Sequence, residues 1–191
     1  PWYENIPVAS WLWLRAKCAG CGLPIAARYP LVELAVMAVF GLLTCRMGPQ
    51  TALIGWAFFS ASLVALGLVD LDTCLLPDRM TLGLAWAGLL AAVAGWTVPA
   101  SLAITGACMG YAITTGLDLL CRLAIGKPAF AGGDAKMMAA IGAWMGHPVL
   151  VVAALALAIL LGAVVAVSRA LRKQGGVMPF GPYLAVAGLS F

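Results

Sequence analysis

Charged side chains are scarce in this chain. Asp, Glu, Lys and Arg together make up 9% of its 191 residues, whereas a soluble domain has roughly 25%. Hydrophobic residues make up 64%. A water-soluble domain is excluded, because its surface could not be built from so few charges, and so is a disordered chain. The composition therefore indicates an integral membrane protein.

Positive charge exceeds negative charge only slightly. Eleven Lys and Arg residues face seven Asp and Glu residues, which gives a net charge of +4. This is too little for a nucleic-acid-binding surface, so we expect the lipid bilayer, and no nucleic acid, around the protein. The six cysteines are scattered through apolar runs, and only Cys18 and Cys21 form a spaced pair.

Apolar runs broken by short polar stretches predict an all-α, polytopic membrane bundle of about seven transmembrane helices. Residues 1–30 carry four charged residues and four prolines, and we expect a small extramembrane segment there, followed by a transmembrane domain over 31–191. Glycine and alanine in the helices indicate close helix packing in lipid. The chain starts without Met and ends within an apolar run, so we expect both parts to be truncated. The helices are predicted at residues 31–45, 52–69, 81–96, 101–121, 135–146, 149–167 and 179–191.

The distribution of basic residues predicts an orientation. If seven helices alternate across the bilayer, Arg46 is the one basic residue on one side, and ten lie on the other. The side rich in positive charge is normally cytoplasmic. We therefore expect a cytoplasmic N-terminal segment, in which stable disulfides are not favoured. The ten residues are Arg15, Lys17, Arg28, Arg79, Arg122, Lys127, Lys136, Arg169, Arg172 and Lys173.

Aspartates gather at the predicted cytoplasmic ends of the helices. Asp70, Asp72 and Asp78 follow the second helix, Asp118 lies near the end of the fourth, and Asp134 opens the fifth. Two carboxylates brought together can share one proton, so that one activates water and the other protonates a carbonyl oxygen. Aspartates at helix ends are also common as caps. The spacing alone leaves both interpretations open.

Several motifs follow one another along the chain, namely Glu4-Asn-Ile-Pro7, Cys18-x-x-Cys21, Arg28-Tyr-Pro-Leu-Val-Glu33, Asp70-x-Asp72 with Leu75-Leu-Pro-Asp78, Gly133-Asp-Ala-Lys136 with Gly142-Ala-Trp144, and Pro179-Phe-Gly-Pro-Tyr183. In this order they make the chain resemble the bacterial type IV prepilin peptidases, which are membrane aspartyl proteases with a Gly-x-Gly-Asp motif. The resemblance implies that Asp70 and Asp134 are catalytic, and that the enzyme cleaves the leader peptides of prepilins and pseudopilins at the cytoplasmic face of the inner membrane.

The same resemblance implies two cofactors, neither of which proteolysis needs. Many members also methylate the new N-terminus with S-adenosylmethionine. A second Cys-x-x-Cys pair usually completes a zinc site, and structural zinc takes four ligands, so Cys18 and Cys21 are expected to form part of a Zn²⁺ site whose partners are missing here.

Two further expectations concern the loops beside the aspartates. Asp72 and Asp78 are candidate binding points for the basic leader of a prepilin, although Asp78 could instead cap the third helix. Ala131 stands where the family usually has the outer glycine of Gly-x-Gly-Asp. Alanine tolerates most backbone conformations but not a strained positive φ, so activity could be reduced.

Two other functions would also place carboxylates in a membrane bundle. A transporter would use them, but its site tends to lie near the bilayer midplane and often shows repeat symmetry. A non-catalytic subunit of pilus or secretion assembly could keep the fold, but it has no reason to keep both Asp70 and Asp134.

Overall fold

The apolar runs form helices in a computed structural model of the chain, which describes residue 4 and residues 6–173 and 178–191. Asn5 of the first motif lies outside the described residues. Each of the seven predicted helices is present, and a short helix precedes them. The helices are α1 (Ala9–Trp13), α2 (Arg28–Met47), α3 (Thr51–Thr73), α4 (Asp78–Val93), α5 (Ala100–Ile125), α6 (Gly132–Met145), α7 (Pro148–Leu171) and α8 (Gly181–Leu189).

The all-helical membrane character is confirmed, but the count of seven spans is not. Four described helices, α2, α3, α5 and α7, are long and apolar enough to cross a membrane. Helices α4, α6 and α8 have 16, 14 and 9 residues, fewer than the roughly 20 that a straight span needs.

The chain separates into two compact units, Pro1–Leu53 and Ile54–Phe191. In the first unit, the loop that carries the cysteine pair is closed by hydrogen bonds to backbone carbonyls. The amide of Cys18 donates to the carbonyl of Leu23 at 2.8 Å, and the indole of Trp11 donates to the carbonyl of Ile25 at 3.0 Å. The Glu33 carboxylate on α2 accepts a 2.7 Å hydrogen bond from the Val8 amide.

Helix α6 forms the centre of the second unit, and ten of its 14 residues are buried. The Trp144 ring, at the end of α6 far from Asp134, stacks on Phe59 of α3 with ring centroids 5.2 Å apart. Its indole N–H donates to the carbonyl of Leu84 on α4 at 2.9 Å. Because other helices surround α6, its length does not have to match the thickness of the bilayer, and a helix of 14 residues can occupy this position.

Helices α5 and α6 cross so closely that neither backbone has room for a side chain at the contact. A Cβ atom on Gly106 would overlap the carbonyl of Gly142, and one on Gly110 would overlap the carbonyl of Met138. Close packing at these glycines agrees with the expectation from sequence. The crossing fixes the position of α6, and with it that of Asp134 at its first turn.

Candidate active site

Asp70 lies in the last turn of α3 and is only 4% exposed. Its Oδ2 atom accepts a 2.7 Å hydrogen bond from the backbone N–H of Gly181, which is 111 positions later and begins α8. A Cβ atom on Gly181 would lie 2.8 Å from that same oxygen. Glycine is therefore required at this position, because a side chain would displace the carboxylate that its backbone holds.

Asp134 is the third residue of α6 and is also 4% exposed. Its Oδ2 atom accepts a 2.7 Å hydrogen bond from the N–H of Ala131, the residue that precedes the helix. This bond satisfies a backbone donor that the helix leaves free at its N-terminus. Asp134 thus caps its helix, but a capping role alone does not require burial beside a second acid.

Both aspartates line one cleft with a volume of about 390 Å³. Asp134 lies within electrostatic range of both Asp70 and Asp118. The structure therefore brings together the two acids that the sequence singles out, although α4 and α5 separate them in the chain. The other described residues that line the cleft are Cys74, Leu75, Leu76, Pro128, Ala129, Phe130, Ala131, Gly132, Gly133, Met178, Pro179 and Phe180.

One wall of the cleft is aromatic. The rings of Phe130 and Phe180 meet edge to face with centroids 5.0 Å apart, and the ring centroids of Phe180 and Tyr183 are 6.1 Å apart. Both phenylalanines line the cleft beside the acids. The cleft thus combines two carboxylates with an apolar surface that can contact the side chains of a bound peptide.

The loop before Asp134 explains which glycine this turn needs. Ala131 has φ −83° and ψ 158°, an extended conformation that alanine adopts without strain. Gly133, by contrast, packs against the loop that follows α3, and a Cβ atom there would lie 2.8 Å from the Cβ atom of Leu76. The alanine at position 131 is therefore accommodated, and the close approach occurs at the glycine next to the acid.

Asp118 on α5 has a structural role that the sequence did not reveal. Its Oδ1 atom accepts hydrogen bonds from the amides of Ala129 at 2.8 Å and Phe130 at 3.0 Å. Its Oδ2 atom accepts one from Nε of Arg122 at 2.7 Å. The spacing of four residues could have indicated the pair with Arg122, but nothing in the sequence indicates the contacts with the loop.

Neither Asp72 nor Asp78 is among the described residues that line the cleft. The Oδ1 atom of Asp78 forms a 2.6 Å ion pair with Nζ of Lys136, and the Asp78 side chain is 59% exposed. Asp72 is exposed near the end of α3. A contribution of either acid to substrate binding stays a prediction.

Cys18 and Cys21 lie in the first unit, where Cys21 is exposed and Cys18 partly exposed. The backbone N–H groups of Cys21 and then Gly20 lower the pKa of the Cys18 thiol by hydrogen bonding, which favours the thiolate that binds a metal. No group of three or more metal-ligating side chains occurs in the described residues. Two cysteines supply half of a structural zinc site, so we assign no step to zinc.

Comparison with known proteins gives consistent matches. The model of the type IV leader peptidase family matches residues 56–167, and that of the bacterial peptidase A24 N-terminal domain matches residues 1–47. The chain is 42% identical over 188 residues to a protein of Aeromonas hydrophila and 41% identical over 189 residues to one of Neisseria gonorrhoeae, in each case over 97% of the chain. Both are named prepilin leader peptidase/N-methyltransferase. The chain spans 64% of the length of these relatives. No solved structure matches it significantly.

Proposed function

The chain belongs to the type IV leader peptidase family, and on that premise we propose that Asp70 and Asp134 are the catalytic pair of an aspartic endopeptidase. Its substrates are type IV prepilins and pseudopilins, from which it removes the leader peptide. The observation that carries the proposal is the cleft itself. Two buried carboxylates from helices far apart in the sequence line one cavity, and each is held by a backbone N–H.

The first half of the reaction adds water to the scissile carbonyl. Two like charges that line one cleft and interact electrostatically disfavour double ionisation, so the pair holds one proton. The ionised aspartate removes a proton from a water molecule while the water oxygen bonds to the carbonyl carbon. The protonated aspartate transfers its proton to the carbonyl oxygen, and a tetrahedral diol results.

The second half breaks the carbon–nitrogen bond. The aspartate that received the water proton gives it to the leaving nitrogen, and the other aspartate recovers a proton from a hydroxyl of the diol. The leader leaves with a new carboxyl group, the mature pilin has a free N-terminus, and the pair again holds one proton. The backbone bonds from Gly181 and Ala131 hold one oxygen of each carboxylate throughout.

Substrate binding follows from the surroundings of the cleft. The wall formed by Phe130 and Phe180 suits the apolar segment of a pilin. The exposed acids Asp72 and Asp78 would attract a basic leader, an attraction that salt screens. Charge reversal at both acids should raise KM at low salt and have little effect at high salt. An unchanged KM at both salt concentrations would place leader binding elsewhere.

We keep about seven spans as the proposed topology, and the shared cleft supports α4 as one of them. Asp70 lies at the end of α3, and Asp134 follows α4 and α5. Both acids are at the same membrane face only if an even number of crossings separates them, so α4 must cross together with α5. With 16 residues α4 is about 24 Å long, which a locally thinned bilayer can accommodate. The distribution of basic residues supports the proposal that the cleft opens at the cytoplasmic face of the bacterial inner membrane.

The N-terminal segment is assigned to a second activity. The matched relatives are named both peptidase and N-methyltransferase, and we propose that the intact protein methylates the new N-terminus with S-adenosylmethionine. In the proposed organisation, residues 1–30 form part of a cytoplasmic segment, and Cys18 and Cys21 supply two of four zinc ligands. The peptidase domain covers 31–191. Zinc content and methyl transfer measured on the intact protein and on a Cys18→Ser variant test this assignment.

The alternative functions fit the geometry less well. A carrier site near the midplane would place its acids in mid-helix, whereas Asp70 lies in the last turn of α3 and Asp134 in the first turn of α6. A non-catalytic assembly subunit would not explain why two buried acids share one cleft.

Cleavage of a prepilin by the reconstituted protein tests the proposal directly. Asp70→Asn and Asp134→Asn should each abolish cleavage while helicity and thermal unfolding stay close to wild type. The wild-type kcat should follow a bell-shaped pH profile, because the pair must hold one proton. Cleavage that persists in either variant would refute the assignment.

A further inference from the structure

Three consecutive amides in the loop between α5 and α6 are divided between two carboxylates. The N–H groups of Ala129 and Phe130 bind Oδ1 of Asp118, and the next one, of Ala131, binds Oδ2 of Asp134. The Asp118 side chain is 16% exposed. This loop also lines the cleft. Asp118 therefore holds the same short segment whose last amide holds Asp134.

We propose that Asp118 is a positioning residue for Asp134, acting through the backbone of residues 129–131. The proposal rests on the proposed function, in which Asp134 is catalytic. Holding the amides of Ala129 and Phe130 restricts where the next amide can lie, and the N–H of Ala131 then holds Oδ2 of Asp134 at the cleft. If Asp118 is removed, the loop that follows the left-handed residue Gly126 loses the two hydrogen bonds at Ala129 and Phe130.

Two other roles for Asp118 give different expectations. If its negative charge acts on Asp134 directly, as their electrostatic proximity allows, any neutral residue at position 118 should be equally harmful. If its role is the ion pair with Arg122, whose side chain is 56% exposed, removing the guanidinium should be as harmful as removing Asp118. A positioning role requires only an oxygen acceptor at the place of Oδ1, which asparagine supplies without charge.

The test compares four variants of the full chain in proteoliposomes by hydrogen–deuterium exchange over residues 127–133. Asp118→Ala removes the acceptor and should speed exchange in this segment at least about tenfold. Asp118→Asn and Arg122→Gln should exchange like wild type. Asp118→Glu keeps the charge but moves the acceptor by one methylene, and should lie between Ala and Asn.

Prepilin cleavage by the same variants provides the second measurement. Asp118→Ala should lower kcat by about 10- to 100-fold, the scale of loss that a small misplacement of a reacting group causes, with KM changed less than about threefold. Asp118→Asn should restore kcat to within about threefold of wild type, and Asp118→Glu should do so less well.

The outcomes separate this proposal from the proposed function. Equal losses in Asp118→Ala and Asp118→Asn, or a better result with Glu than with Asn, would show that charge and not position matters, and would overturn it. Unchanged exchange in Asp118→Ala would do the same, and if that variant does not fold, the order of Glu and Asn decides. Cleavage that survives in Asp134→Asn would instead refute the proposed function, while the exchange measurement of the loop would stand.

Discussion

At the scale of residues, backbone amides and not cations hold the two acids. Asp70 is held by Gly181 and Asp134 by Ala131, and within the described ranges no ion pair involves either acid. Lys136, two positions after Asp134, pairs with Asp78 instead. A cation beside a carboxylate would favour its ionised form. Amide donors orient the acids without adding a positive charge, which suits a pair that must exchange a proton.

Gly181 gives a prediction at this scale. Gly181→Ala should lower kcat for prepilin cleavage by about 100-fold, because its Cβ atom would lie 2.8 Å from Oδ2 of Asp70 and move a reacting group out of position. Steady-state kinetics on the reconstituted variant measures the loss. Gly83→Ala is the matched control, since a Cβ atom at position 83 has no neighbour within 4 Å. A Gly181→Ala enzyme as active as this control would mean that the bond to Asp70 is dispensable.

At the scale of elements, the position of Asp134 depends on the crossing of α5 and α6. The apolar runs predict both helices, and their glycines predict close packing, but the sequence does not say which glycines meet. Gly106 opposes Gly142, and Gly110 opposes Met138, because the two backbones contact each other directly. The sequence likewise does not indicate that the loop between these helices binds Asp118. That contact is made by backbone amides, and every residue type except proline has one.

The crossing makes Gly142 sensitive to substitution. Gly142→Ala should destabilise the bundle by about 1–3 kcal/mol or more, because its Cβ atom would overlap the backbone of Gly106 and overpacking forces the helices apart. Thermal unfolding in detergent should show a lower midpoint, and cleavage should fall as α6 shifts. Gly116→Ala, on the partner helix α5, has open space around its Cβ atom and should unfold like wild type. Equal midpoints for the two variants would contradict the described crossing.

At the scale of the whole molecule, the sequence predicts the helices more reliably than the spans. Hydrophobic runs locate α4 and α6, but the length of a run does not reveal whether lipid or protein surrounds it. Trp144 and its neighbours bury α6 among other helices. The cost of carboxylates in a membrane protein draws attention to all five aspartates, and it is the resemblance to the peptidase family that selects Asp70 and Asp134 among them. Gly181 could not be assigned a role, since its partner Asp70 lies 111 positions away.

The cleft leads to a prediction about topology, namely that α4 crosses the bilayer in addition to the four long helices. If α4 crosses the bilayer, the loop at Trp96 is periplasmic and the loop at Lys127 is cytoplasmic. If only α2, α3, α5 and α7 cross, both assignments are reversed, and Asp70 and Asp134 belong to opposite faces.

Alkaline phosphatase is active only outside the cytoplasm, so the activity of fusions made after Trp96 and after Lys127 in a bacterial host shows on which side each loop lies. We expect activity after Trp96 and none after Lys127. A fusion after Gln50, in the loop before α3, is the control and should be active in both topologies. The reverse result at Trp96 and Lys127 would be incompatible with two acids acting in one cleft, because Asp70 and Asp134 would then lie at opposite faces of the bilayer.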